Sequence, residues 1–274
     1  MSNRSIRIIV SLLAIPFLLF LSWLGKIPFL ILILLISLLA FKEYSIILKH
    51  KNIFVNLFVG DLSIIILFSN NHFKWFDFEF LFLIILTLLL VLELFRNKAS
   101  AINNVAATLL GILFLGFFSI QIINIREFYS NNILLYSQGG YLIISILISI
   151  WMCDSAAYFL GTAFGKHRLF LRVSPKKSWE GAIAGFIFSV LTMIAAKVFI
   201  LDFFDWQHVL AIGFIIGIFG QIGDLIESLF KRDAGVKDSS TLIPGHGGIF
   251  DRFDSLIFSA PLIYLYLKMF INNF

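Results

Sequence analysis

Charge is scarce in this chain: only 14% of its 274 residues are Asp, Glu, Lys or Arg, and cysteine occurs once, at position 153. A water-soluble domain carries about 25% charged residues, and a chain of this size withdraws only roughly 70–75% of its unfolded surface from water. The polar side chains are too few to cover the remainder, so a soluble globular enzyme is excluded. A disordered tail is excluded by the same shortage. A lone Cys153 forms no intramolecular disulfide, which excludes a stapled secreted module. Also missing are a Walker-type glycine loop, a G-x-S-x-G elbow, an HExxH zinc motif and a cysteine ligand cluster. What fills the chain instead is apolar: 60% hydrophobic residues, 33 of them Phe, with a mean hydropathy of +0.98. Lipid is the solvent for such a surface.

Uncharged runs, set against the roughly 20 residues that cross the hydrocarbon, predict an all-α polytopic membrane protein. About nine transmembrane helices are expected, near 8–25, 28–41, 53–70, 79–95, 100–125, 138–164, 181–200, 207–230 and 255–271. The second is short, and the third carries Asp61 near its centre. The runs lack the two-residue alternation of an outer-membrane barrel. Arg4 and Arg7 precede the first run without a clear small-residue cleavage site, so that run is expected to remain as a span. With the N-terminus inside, 16 of the 21 basic residues fall on the cytoplasmic side, as the positive-inside rule requires. The net charge of +5 then reports topology and anionic substrates, not nucleic acid. A single membrane-embedded catalytic domain over 1–274 is expected, with N-terminal helices at 1–137 and a motif-bearing part at 138–274.

Two polar segments, 165–180 and 231–254, lie on the same expected cytoplasmic face. In the second half-motif, GDLIESLFKRDAGVKDSSTLIPGHGGIFDRFDS, Asp224, Glu227 and Ser228 share a helix face by their spacing. Lys231, Arg232, Asp233, Lys237 and Asp238 follow, then a Pro244–Gly248 turn around His246, then Asp251, Arg252 and Asp254. An acid at the end of a span is paired, water-facing or functional; an interfacial anchor is the plain alternative for Asp224 alone. Glycines flanking His246 allow either close backbone approach to a ligand or an ordinary surface turn. Upstream, Asp154 and Tyr158 share a face, Gly161 and Gly165 permit close packing, and Lys176 and Lys177 sit between Ser174 and Ser178. Carboxylates suited to a hard divalent ion beside Lys and Arg suited to phosphate are the requirements of phosphoryl or nucleotidyl transfer.

On these residues the chain resembles the phosphatidate cytidylyltransferases, also called CDP-diacylglycerol synthases. Ser228, Lys231, Arg232, Lys237, Asp238, Pro244, His246, Gly247, Gly248, Asp251, Arg252 and Asp254 follow the family signature at its spacing. Cys153, Asp154, Ala157, Tyr158, Gly161, Gly165, Ser174, Pro175, Lys176, Lys177, Trp179, Glu180 and Gly181 are similar to its upstream pattern. The likeness is specific over 151–255; the first half is similar only in being hydrophobic. It implies transfer of CMP from CTP to phosphatidic acid at the cytoplasmic face of the inner membrane, giving CDP-diacylglycerol and diphosphate. Mg²⁺ as cofactor, K⁺ as a second cation and a homodimer are implied as well. So are catalytic roles for Asp224, Ser228, Lys231, Arg232 and Asp251, with Asp224 and Asp251 on the metal. Substrate-binding roles are implied for Asp154, Lys176, Lys177, Lys237, Asp238, His246, Gly247, Gly248, Arg252 and Asp254. His246 as acid–base group, phosphate donor or turn residue stays open. A transporter would also use many spans and intramembrane acids, but the charges gather at one face and no repeat is found. Transfer to a polyprenyl phosphate from another nucleotide would use the same metal and phosphate chemistry, whereas a scaffold would leave the polar segments unused.

Overall fold

The structure is a computed structural model that describes residues 3–130, 132–237, 239–240 and 247–271, with side chains from Val10 onward. Asp238, Pro244, Gly245 and His246 lie outside the described residues. The chain runs through α1 (Asn3–Leu24), α2 (Lys26–Lys49), α3 (Leu57–Phe73), α4 (Phe78–Arg96), α5 (Ala101–Arg126) and α6 (Tyr136–Phe164). A hairpin follows, β1 (Arg168–Phe170) and β2 (Ser174–Ser178), and then α7 (Trp179–Phe199), α8 (Trp206–Asp233) and α9 (Phe250–Phe270). The architecture is all-α and polytopic, as the hydropathy predicts.

The expected count of nine spans is met in part. Among the described residues, seven helices are long and apolar enough to cross a membrane: α2 and α4 to α9. Val10–Leu24 and Leu57–Phe73 are shorter apolar helices. The 17 residues of α3 rise about 26 Å at 1.5 Å each, the lower limit for crossing a hydrocarbon core of roughly 30 Å. An apolar run in sequence does not reveal where a cap ends the helix: Asn56 accepts from the Val59 amide at its start, and Lys74 closes it in the left-handed region at φ 57°. A second departure is the antiparallel hairpin, with Arg168 opposite Ser178 and Phe170 opposite Ser174. Its basic sequence reads as an irregular loop.

By internal packing the chain divides into two compact units. The first comprises Met1–Val10, Leu30–Ile120 and Phe230–Phe253. Its core includes Phe41, Tyr44, Phe68 and Phe250, with Phe230 and Phe250 edge-on to Phe114 at 6.2 and 6.0 Å. A buried polar knot ties α3, α4 and α5: Arg96 donates to the Phe54 and Val55 carbonyls and pairs with Glu93 at 3.1 Å, and Asn104 bridges Glu93 and the Phe54 amide. Each member lends the others a partner, which is what makes buried charge tolerable in an apolar surround.

The second unit comprises Ser11–Phe29, Gln121–Leu229 and Asp254–Phe274. Its principal packing joins α6 to α7. Cys153, Ala157 and Gly161 on α6 meet Gly181 and Gly185 on α7: a Cβ at Gly181 would lie 2.7 Å from the Ala157 carbonyl, and one at Gly185 would lie 2.9 Å from that of Cys153. Lipid provides no hydrophobic drive between helices, so small residues that admit close backbone contact supply the association. Arg126 closes the opposite end of this unit. Fully buried, it donates to the Ser22 and Trp23 carbonyls at 2.6 Å each, satisfying carbonyl groups at the C-terminal end of α1.

Candidate functional site

In the second unit, the site begins with a distortion of α8. Residues Ile216–Gly220 form a π-helical turn, a feature that re-aims the following residues and is frequent at functional sites. Gln221 spans it, its Nε2 donating to the Gly217 and Ala182 carbonyls at 2.6 and 3.0 Å. One turn later Asp224 faces a cavity of about 280 Å³ whose walls include Asp154, Tyr158, Lys176, Lys177, Gln221 and Asp224. The hairpin delivers the lysines. Ser178 ends β2 and caps α7 by accepting from the Gly181 amide, and Glu180 accepts from the His167 amide and lies 2.6 Å from its Nδ1. These contacts hold both ends of the hairpin beside α7.

Lys177 Nζ lies 2.5 Å from Asp224 Oδ2, and Ser228 Oγ approaches Oδ1 at 3.5 Å, the outer limit of a hydrogen bond. Asp254, at the start of α9 and 6% exposed, interacts electrostatically with both Asp224 and Asp154. Three carboxylates thus share one neighbourhood, with Lys177 bonded to Asp224. An all-oxygen donor set of this kind suits a hard divalent ion such as Mg²⁺. Among the described residues, no group of three or more His, Cys, Asp or Glu side chains is drawn close enough to hold a metal ion by itself. The donor set therefore fits an ion that takes one or two protein carboxylates and completes its shell with phosphate and water.

The first unit holds Asp251 very differently. Its Oδ1 accepts from Lys231 Nζ at 2.6 Å, and its Oδ2 accepts from the Gly248 amide at 2.9 Å and lies 2.7 Å from Ser239 Oγ. Ser239 Oγ also lies 3.2 Å from Glu43 Oε2. Glu43, on α2, accepts in addition from Ser240 Oγ at 2.5 Å, the Ile249 amide at 3.0 Å and the Phe250 amide at 2.8 Å. The glycines of the motif have separate uses: Gly247 adopts φ +86°, and a Cβ at Gly248 would collide with Ser239 Oγ and Glu43 Oε2. Arg232 bonds the Val236 carbonyl at 3.2 Å; it, Lys237 and Arg252 are exposed.

The structure thus brings Asp154, Lys176, Lys177 and Asp224 to one cavity with Asp254 beside it, and Lys231, Gly248 and Asp251 to one hydrogen-bonded cradle. Residues that sequence reasoning passed over are Gln221, Ser239 and Glu43. Glu43 is an acid within an apolar helix, but the expected span at 28–41 stops just short of it.

A model of the cytidylyltransferase family matches residues 5–270. The phosphatidate cytidylyltransferase of Bacillus subtilis strain 168 is 33% identical over 272 residues, which cover 96% of this chain and 97% of that protein. Those of Staphylococcus haemolyticus and Staphylococcus saprophyticus are 45% and 42% identical over 132 and 131 residues, 48% of this chain and 50% of each relative.

Proposed function

Because the chain belongs to the cytidylyltransferase family, we infer that it catalyses CTP + phosphatidic acid → CDP-diacylglycerol + diphosphate within a membrane. The observation that carries this is the likeness to the Bacillus subtilis enzyme over nearly the whole of both chains. The cavity bearing Asp224, Asp154 and Lys177 supports it, since it offers acids for a metal and ammonium groups for phosphate.

In the reaction a phosphate oxygen of the lipid attacks the α-phosphorus of CTP. A P–O bond forms there, the bond between the α-phosphorus and the bridging oxygen breaks, and diphosphate leaves with that oxygen and its electron pair. The lipid phosphate is already an anion near neutral pH, so no strong base is needed. The enzyme's task is to offset anion–anion repulsion, align the two substrates and stabilise the leaving diphosphate. Asp224 and Asp251 are the proposed Mg²⁺ carboxylates, and the bound ion would neutralise charge on the phosphates. Lys231, Arg232 and Arg252 hold phosphate oxygens, with Ser228 beside Asp224. Lys176 and Lys177 bind CTP or the lipid headgroup. Asp154, Lys237, Asp238, His246, Gly247, Gly248 and Asp254 complete the substrate side. K⁺ as a second cation and a homodimer are part of the same proposal. So is the finer topology: nine crossings, N-terminus inside, and the site at the cytoplasmic face of the inner membrane.

Purified protein reconstituted with labelled CTP, phosphatidic acid and Mg²⁺ should form the liponucleotide, with UTP and dCTP as competitors defining base and sugar preference. No product across varied lipid and cation conditions would overturn the assignment.

A further inference from the structure

Glu43 lies nearly 200 residues from the loop between Ser239 and Phe250, yet among the described residues four of its hydrogen-bonding contacts go to that loop. It is 3% exposed. Oε1 accepts from Ser240 Oγ and the Ile249 amide; Oε2 accepts from the Phe250 amide and lies beside Ser239 Oγ. A carboxylate has about four lone-pair positions, so this one is fully used. The Ile249 and Phe250 amides lie at the start of α9, where backbone N–H groups have no partner within the helix and negative charge is favoured. Glu43 therefore caps α9 from another helix. The residue immediately after Phe250 is Asp251.

Ser239 makes the link direct. Its hydroxyl stands between Glu43 Oε2 and Asp251 Oδ2, at 3.2 and 2.7 Å, and its one proton can be given to only one of them. Gly248 supplies its amide to Asp251 and, lacking a Cβ, leaves room for both Ser239 and Glu43. Resting on the activity proposed above, we propose that Glu43 is a positioning residue: by holding the start of α9 and Ser239, it sets the direction in which Asp251 and its partner Lys231 present their charged atoms. Simple burial of a polar group would require one partner, not four from a single loop. The acceptor-only chemistry matters too. A Gln side chain would turn an NH₂ donor toward a backbone amide that is itself a donor.

The test uses the full chain, reconstituted with CTP, phosphatidic acid and Mg²⁺, as wild type, Glu43→Gln, Glu43→Asp, Ser239→Ala and the Glu43→Gln/Ser239→Ala pair. Three quantities are read: kcat and KM for CTP, hydrogen–deuterium exchange of the Ile249 and Phe250 amides, and the melting temperature. Misplacing a reacting group by about 1 Å costs roughly 100-fold. Glu43→Gln should therefore lower kcat by about that factor, with KM for CTP changed less than about threefold, and should speed exchange at Ile249 and Phe250. Glu43→Asp, which keeps an all-acceptor group, should recover about tenfold of the lost kcat. Adding Ser239→Ala to Glu43→Gln should slow turnover by less than the product of the single effects, since the two residues act on one carboxylate. Wild-type kcat in the folded fraction of Glu43→Gln would overturn the proposal, as would a loss of turnover with amide protection unchanged. If the wild type itself makes no CDP-diacylglycerol, the assigned activity fails; the amide exchange still decides whether Glu43 holds α9.

Discussion

Asp224 and Asp251 are both motif acids on apolar helices, and their surroundings are opposite in kind. Asp224 opens on a cavity, has other carboxylates for neighbours, and is met by one lysine whose side chain is 30% exposed. Asp251 is bonded by an ammonium, a backbone amide and a hydroxyl, with side-chain exposures of only 11% and 13% in its pair with Lys231. The first is an acid with capacity for a ligand. The second is held in one direction by its neighbours. In a membrane protein short of charge, the same residue type can thus stand open to a cavity or be fixed in direction by hydrogen bonds before any ligand arrives.

The largest expected contrast comes from removing each acid in turn. Asp224→Ala and Asp251→Ala should both lower Mg²⁺-dependent CDP-diacylglycerol formation by about a thousandfold or more, a loss of about 4 kcal/mol of transition-state stabilisation. Their stabilities should diverge. Asp251→Ala strands Lys231 in a largely buried site and should cost on the order of 3 kcal/mol, read as a lower melting temperature in detergent. Asp224→Ala relieves crowding among acids and should leave the melting temperature near that of wild type. Near-normal turnover in either variant would remove that residue from the proposed metal site, and equal melting temperatures would dissolve the contrast.

A smaller effect separates two glycines. Gly248→Ala drives a methyl group into Ser239 and Glu43 and should reduce kcat strongly, whereas Gly185→Ala presses on the Cys153 carbonyl between α6 and α7. The second should cost roughly 1–3 kcal/mol of stability, with the folded fraction turning over normally. A large kcat defect in Gly185→Ala would show that the α6–α7 spacing itself tunes the cavity. The smallest change is expected from Ser228→Ala. Its bond to Asp224 is long at 3.5 Å, and a loss of about 0.5–1 kcal/mol corresponds to only about two- to fivefold in kcat/KM. A hundredfold loss would mean that Ser228 touches substrate or metal directly.

Much of the second half was legible from residue order because its chemistry is local. Asp224, Lys231 and Arg232 sit within a few turns of one helix, and Lys176 and Lys177 within one strand. Gly161 and Gly165 read as sites of close packing, and a Cβ at either would meet Ser178 Oγ within 3.4 Å. Less legible were features that depend on hydrogen bonds rather than hydropathy. Apolar residues run unchanged through the π-helical turn at Ile216–Gly220, so nothing in the letters marks where the helix widens. The third apolar run gives no sign in its hydropathy of the caps at Asn56 and Lys74 that set its helix at 17 residues. The hairpin between α6 and α7 has too few apolar residues to announce strands.

Composition alone dictated that lipid is the solvent, because surface scales with size and this chain has too little charge to cover its own. Spacing alone determined which acids and bases cluster along the chain, and so the class of chemistry they can perform. Only the tertiary structure decided which acid faces a cavity and which is tied down. It also enlisted Glu43, since a hydrogen bond between residues about 200 positions apart leaves no periodic or local trace and exists only once the helices have packed.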